Sequence, residues 1–92
     1  MEKAIIYGAG KRGSEYYLFL KHLKREGSIQ GFCDREAASI KEKCSLPVYS
    51  YEEAVNMGMP FIIGVGNEFY DEVKKKFDGD GIRYYDDLAD FW

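Results

Sequence analysis

Apolar residues come in short bursts along this chain, separated by stretches in which they recur with a helical period. Ala4-Ile5-Ile6-Tyr7 and Phe61-Ile62-Ile63-Gly64-Val65 are unbroken apolar runs, the pattern of strands in a parallel sheet covered on both faces. They predict a first strand over residues 3–7 and a central strand over 61–65. Ile29-Gln30-Gly31-Phe32-Cys33 predicts a second strand, Leu46-Pro47-Val48-Tyr49 a short edge piece in which Pro47 is tolerated, and Ile82-Arg83-Tyr84-Tyr85 a final strand. Between them, Gly13, Tyr16, Tyr17, Leu20 and Leu23 recur at i, i+3, i+4, which predicts a helix over 11–26 with Gly27 as its stop. Ser50-Tyr51-Glu52-Glu53 reads as a capping box opening a helix that runs to about Met57 and ends at Gly58. Gly66-Asn67 precedes a helix over 68–77, with Phe69, Tyr70, Val73 and Phe77 as its apolar face, Glu68 in the first turn and Lys74-Lys75-Lys76 in the last. Asp78-Gly79-Asp80-Gly81 reads as a turn, and Asp34 to Ser45 as irregular or weakly helical. Asp86 is expected to cap a terminal helical turn ending at Phe91-Trp92.

Strands alternating with helices predict an α/β fold: one domain over residues 1–92, a doubly wound parallel sheet of about five strands in the order 3-2-1-4-5, helices on both faces. In such a sheet the ligand site lies at the carboxyl ends of the strands where the order reverses. Here that point falls between the first strand and the Phe61–Val65 strand. It gathers Gly8 to Arg12, Asp34 and Gly64 to Asn67, segments far apart in the chain.

The chemistry there is legible. Gly8-Ala9-Gly10-Lys11-Arg12-Gly13 is a G-x-G-x-x-G turn between a strand and a helix. Gly8 permits the tight turn, Gly10 lets a pyrophosphate approach the backbone, and Gly13 lets the helix pack closely on the sheet. A helix N-terminus offers unpaired N–H groups and a partial positive charge. Lys11 and Arg12 oppose that dipole, a placement explained by a bound anion; the alternative is that both point into water. Asp34, about 20 residues further on, stands where an acid accepts the hydroxyls of a ribose; the alternative is an N-cap for a following helix.

Composition narrows the function classes. The 92 residues are 46% hydrophobic and 16% aromatic, enough for a core, although a domain this small buries only about 60–65% of its unfolded surface. A net charge of −3 with no basic stripe argues against nucleic-acid binding. No apolar run approaches the roughly 20 residues that span a bilayer, and no signal peptide is evident. Cys33 and Cys44 without a CxxC, and His22 as the sole histidine, make neither a disulfide framework nor a zinc site. Both thiols are expected to be reduced and the protein cytoplasmic. No membrane partner is expected.

At Gly8–Gly13, Gly31-Phe32-Cys33-Asp34, Leu46-Pro47-Val48 and Ile63-Gly64-Val65-Gly66-Asn67 the chain resembles the small Rossmann-like domains of bacterial sugar-modifying proteins. These include the N-terminal nucleotide-sugar-binding domain of sialic-acid and bacillosamine acyltransferases. They also include the nucleoside-diphosphate-sugar epimerase-like domains attached to some glycosyltransferases and methyltransferases. The resemblance covers essentially the whole chain and implies a three-layer Rossmann-like fold. It further implies a UDP-sugar or dinucleotide held at Gly8, Gly10, Lys11, Arg12, Gly13, Asp34, Arg35, Gly66 and Asn67. The acyltransferases usually carry a small residue and a histidine where this chain has Lys11-Arg12. Their catalytic hexapeptide-repeat β-helix is absent, so acyl transfer is not expected of this chain alone.

No constellation of side chains reads as catalytic. Tyr70 to Lys74 matches a Y-x-x-x-K spacing, but Tyr17 to Lys21 matches it equally well, so helical amphipathicity alone accounts for both. His22 reads as a surface residue and Asp86-Asp87 as a cap. Three readings stay open. The first is a nucleotide-binding module, with a sugar nucleotide as its ligand, acting beside a catalytic domain or as a homodimer in surface-polysaccharide synthesis. The second is a small NAD(P)-binding domain of an oxidoreductase or redox sensor, in which Asp34 favours NAD and Arg35 accommodates a 2′-phosphate. The third is a scaffold that binds no ligand and mediates association through Leu18 and Phe91-Trp92.

Overall fold

The computed structural model describes residues 3–85 and Phe91. Its elements are β1 (Ala4–Tyr7), α1 (Lys11–His22), β2 (Ile29–Cys33), α2 (Ala37–Ile40), β3 (Glu42–Lys43), β4 (Leu46–Tyr49), α3 (Tyr51–Asn56), β5 (Phe61–Ile63), α4 (Asn67–Asp80) and β6 (Tyr84–Tyr85), with a 3₁₀ turn at Glu26–Ser28. The sheet has six strands in the order β3-β4-β2-β1-β5-β6. This differs from the expected five-strand order 3-2-1-4-5. An additional strand, Glu42–Lys43, lies in the stretch expected to be irregular and pairs antiparallel with β4, while the other pairings are parallel.

The extra strand has a local cause. Lys43 sits opposite Leu46, leaving a two-residue turn, Cys44-Ser45, in which both residues have positive φ, 52° and 64°. That is the backbone of a type I′ hairpin, normally marked by Asn-Gly or Gly-Gly. Cys-Ser carries no such mark. Pro47 therefore lies in a strand flanked on both sides, opposite Glu42, and the true edge is β3.

Alternation along β1 divides the interior in two. Ala4 and Ile6 face one side with Leu20, Phe32 and Ile62, where Tyr16 and Tyr17 of α1 and Ala37 and Ile40 of α2 close the core. Ile5 faces the other with Cys33, Phe61, Ile63, Val73 and Phe77, beneath α3 and α4. The sheet is thus covered on both faces, which explains why β1 and β5 are apolar at every position. Pairing between β1 and β2 skips Gln30: Ala4 lies opposite Ile29 and Ile5 opposite Gly31. That irregularity brings both Ile29 and Phe32 to the α1 face despite their odd spacing.

Other boundaries shift for identifiable reasons. The first helix ends at His22, with Leu23 as C-cap and Lys24 at φ 59°. Gly27 falls inside the 3₁₀ turn and does not stop the helix. Helix α4 continues through Asp78-Gly79-Asp80, expected to be a turn, and stops at left-handed Gly81. The lysine triplet Lys74–Lys76 is consequently mid-helix. Strand β5 closes at Ile63 and β6 begins at Tyr84. The capping box of α3 is formed as the sequence indicates: Ser50 Oγ accepts the Glu53 N–H, and the Ser50 N–H donates to Glu53 Oε1. The expected terminal turn from Asp86 lies outside the described residues apart from Phe91, whose ring stands edge-on to Tyr85 at 5.3 Å.

Candidate functional site

The carboxyl ends of β1, β2 and β5 open into a cleft of about 560 Å³, within the range of small-ligand sites. Its walls come from three loops. The first contributes Tyr7, Gly8, Gly10, Lys11 and Arg12, the second Asp34, Arg35 and Glu36, and the third Gly64, Val65 and Gly66.

Three glycines hold these loops together by removing side chains from between them. Gly8 has φ +111°, a conformation that excludes other residues in practice. A Cβ on Gly13 would lie 1.9 Å from the Gly8 carbonyl oxygen, and one on Gly64 3.1 Å from Gly13 Cα. Backbone therefore touches backbone where β1, α1 and β5 meet, and the Gly64 N–H donates to Tyr7 O at 2.8 Å. Gly13 does the packing work expected of it and does not line the cleft. Gly10 is the opposite case: it lines the cleft, and a Cβ there meets nothing within 4 Å.

Asp34 ties the first two loops. Its Oδ2 accepts the Ala9 N–H at 2.9 Å and its Oδ1 the Glu36 N–H at 2.9 Å. The second bond closes an Asx turn; the N-cap of α2 is Glu36, without a side-chain bond, so Asp34 is not the cap. Each carboxylate oxygen already accepts one protein N–H. About half of the acceptor capacity of the carboxylate remains.

Two helices begin at the cleft, and both start on a glycine with no side-chain cap, Gly10 for α1 and Gly66 for α4. Helix α3, which begins elsewhere, carries a full capping box. The first turn of α1 holds no acidic residue, and Lys11 and Arg12 are exposed there. Lys11, Arg12, Arg35 and Lys76 face Asp34, Glu36 and Glu72 around the cleft. With Asp34 engaged by N–H donors, the balance favours an anion although the chain as a whole is at −3.

Helix α4 adds residues that hydrophobic periodicity assigned elsewhere. Phe69, Glu72, Val73 and Lys76 line the cleft at i, i+3, i+4, i+7, one face of the helix. Phe69 was expected in the core and is 47% exposed. Asn67, expected at the site, is exposed and does not line the cleft. On the floor, burial pushes the Tyr7 phenol above its usual range, helped by Cys33, Asp34 and Glu72 and opposed by Arg35. Tyr7 therefore remains a neutral hydroxyl at physiological pH. Neither Tyr17 nor Tyr70 lines the cleft; Tyr17 packs 6.0 Å from Phe32 and Lys74 sits 6.0 Å from the Tyr70 ring.

Among the described residues no group of three or more His, Cys, Asp or Glu is placed to hold a metal, and no helix is long and apolar enough to cross a membrane. The chain matches no protein-family model and no curated protein.

Proposed function

We propose that the protein is a Rossmann-like binding module for a nucleotide, a nucleoside-diphosphate sugar being the ligand class, held by its diphosphate at the mouth of β1. The observation that carries this reading is the pair of uncapped glycine N-termini, α1 and α4, opening on one cleft beside Lys11 and Arg12. Unpaired N–H groups and helix dipoles favour an anion there, and Gly10 leaves the backbone open to it. Asp34 and Arg35 then border the ribose. A module of this kind would serve sugar modification in company with a catalytic domain or partner.

Titration calorimetry and thermal unfolding with UDP, a UDP-sugar and inorganic pyrophosphate test the assignment. UDP at 100 times its Kd should stabilise the fold by about 2.7 kcal/mol. Gly10→Val puts a branched side chain in the diphosphate's place: the backbone there is extended, φ −87° and ψ −156°, and a Cβ meets nothing within 4 Å. The variant should still fold, its Tm lowered only by the cost of valine at an N-cap, about 1 kcal/mol, and should lose the UDP-induced rise. A rise that survives the substitution refutes the assigned cradle.

A further inference from the structure

Phe69 is a large aromatic side chain, 47% exposed, on the wall of a cleft that also gathers Lys11, Arg12, Asp34 and Arg35. It sits in the first turn of α4, where its N–H donates to Gly66 O at 3.0 Å, so the ring is carried by a hydrogen-bonded turn and not by a free loop. Val65 and Val73 line the cleft with it, while Val73 is also anchored in the core. Glu72 and Lys76 continue the same helix face away from the glycine loops. From Phe69 to Lys76 this face runs about 10 Å along the axis. The cleft thus has an anion-favouring end, made by Gly10 to Arg12, and an apolar aromatic wall within reach of it.

We infer that Phe69 is the stacking platform for the planar base of the nucleotide, with Val65 and Val73 flanking it; the inference rests on the diphosphate cradle proposed above. The chemistry selects this occupant. A half-exposed phenyl beside an anion site gains by covering its face with a flat ring, and base-on-aromatic stacking is indifferent to which base is present because each has a π-face. A phosphate alone has nothing to offer that wall. Phe69 therefore contributes affinity for the nucleoside and none for the diphosphate.

Phe69→Ala, Phe69→Trp and the unaltered protein are titrated with UDP and with inorganic pyrophosphate. Alanine is a better helix former than phenylalanine and the side chain is not core, so folding is preserved and a melt records it. The expected result is a loss of UDP affinity of roughly 5- to 150-fold in the alanine variant, recovery in the tryptophan variant, and pyrophosphate affinity within twofold throughout. UDP affinity unchanged by Phe69→Ala overturns the platform while leaving the cradle intact. An equal loss for UDP and pyrophosphate also overturns it, because Phe69 would then act through the shape of the cradle. Failure of the unaltered protein to bind either probe removes the cradle and the platform together.

Discussion

At the scale of single residues, the glycines divide into two kinds that composition cannot distinguish. Gly13 is constrained by the protein itself, its missing Cβ lying 1.9 Å from the Gly8 carbonyl. That carbonyl cannot retreat easily, since the Gly8 N–H is held by Cys33 O at 2.7 Å. Gly13→Ala should therefore destabilise the fold by about 3 kcal/mol, at the upper end of overpacking, and lower Tm by more than about 10 °C. A thermal melt of the alanine variant matching that of the unaltered protein would show that α1 can slide off the sheet at no cost. Gly10 is constrained only through its backbone: its carbonyl accepts the Ser14 N–H and hydroxyl, while a Cβ there would meet nothing within 4 Å. The G-x-G-x-x-G spacing made both positions legible in the sequence, because each glycine has a fixed place relative to strand and helix. Phe69 was not legible. About 80° round the helix from Phe77, it lies near enough to the apolar stripe to be counted with it, and only the packing shows that Tyr70, Val73 and Phe77 fill the core side.

At the scale of elements, helices are well defined in the sequence where side chains close their ends and poorly where the backbone does. The Ser50–Glu53 box is a side-chain device, and α3 starts where it says. Ser50→Ala should cost about 1 kcal/mol. The same box carries an acid dependence. Hydrogen bonds from the Ser50 backbone and side chain hold the Glu53 carboxyl below its ordinary range. A carboxyl depressed in the folded state contributes stability above its unfolded value, and that contribution fades as pH falls through the folded one. Melts of Glu53→Gln and of the unaltered protein, each at about pH 5 and about pH 3, should show the smaller acid-induced drop in the glutamine variant; equal drops would mean the box is not titrating. By contrast, α4 runs on through Gly79, and β3 is made by positive φ at Cys44 and Ser45. Two glycines in Asp78-Gly79-Asp80-Gly81 could each stop the helix and only the backbone selects Gly81, and Cys44-Ser45 carries no turn-forming residue, so neither boundary is fixed by side chains.

At the scale of the molecule, the site and the sheet centre are one structure. Cys33 ends β2 opposite Tyr7 of β1 and Tyr49 of β4. Its carbonyl accepts the N–H of the Gly8 turn, and the next residue is the Asp34 latch. The side chain is fully buried. Burial, reinforced by Asp34 and opposed by Lys76, pushes its thiol up to about 12. Thiolate is the reactive form, so in the native protein Cys33 is both uncharged and out of reach. Alkylation there must wait for the strands to part. Replacing half-buried Cys44 by serine isolates this one thiol. For a domain stable by about 5 kcal/mol, labelling near neutral pH should run several thousand times slower than in the unfolded chain. A ligand that binds only the folded state lowers the open population by the factor 1 + [L]/Kd. UDP at 100 times its Kd should accordingly slow Cys33 labelling about 100-fold further, read by mass spectrometry, while leaving unchanged the labelling of the protein unfolded in denaturant. Should UDP bind yet leave the Cys33 rate as it was, opening of the sheet centre and occupation of the cleft would be separate events. The Gly8 turn and the Asp34 latch would then not join them.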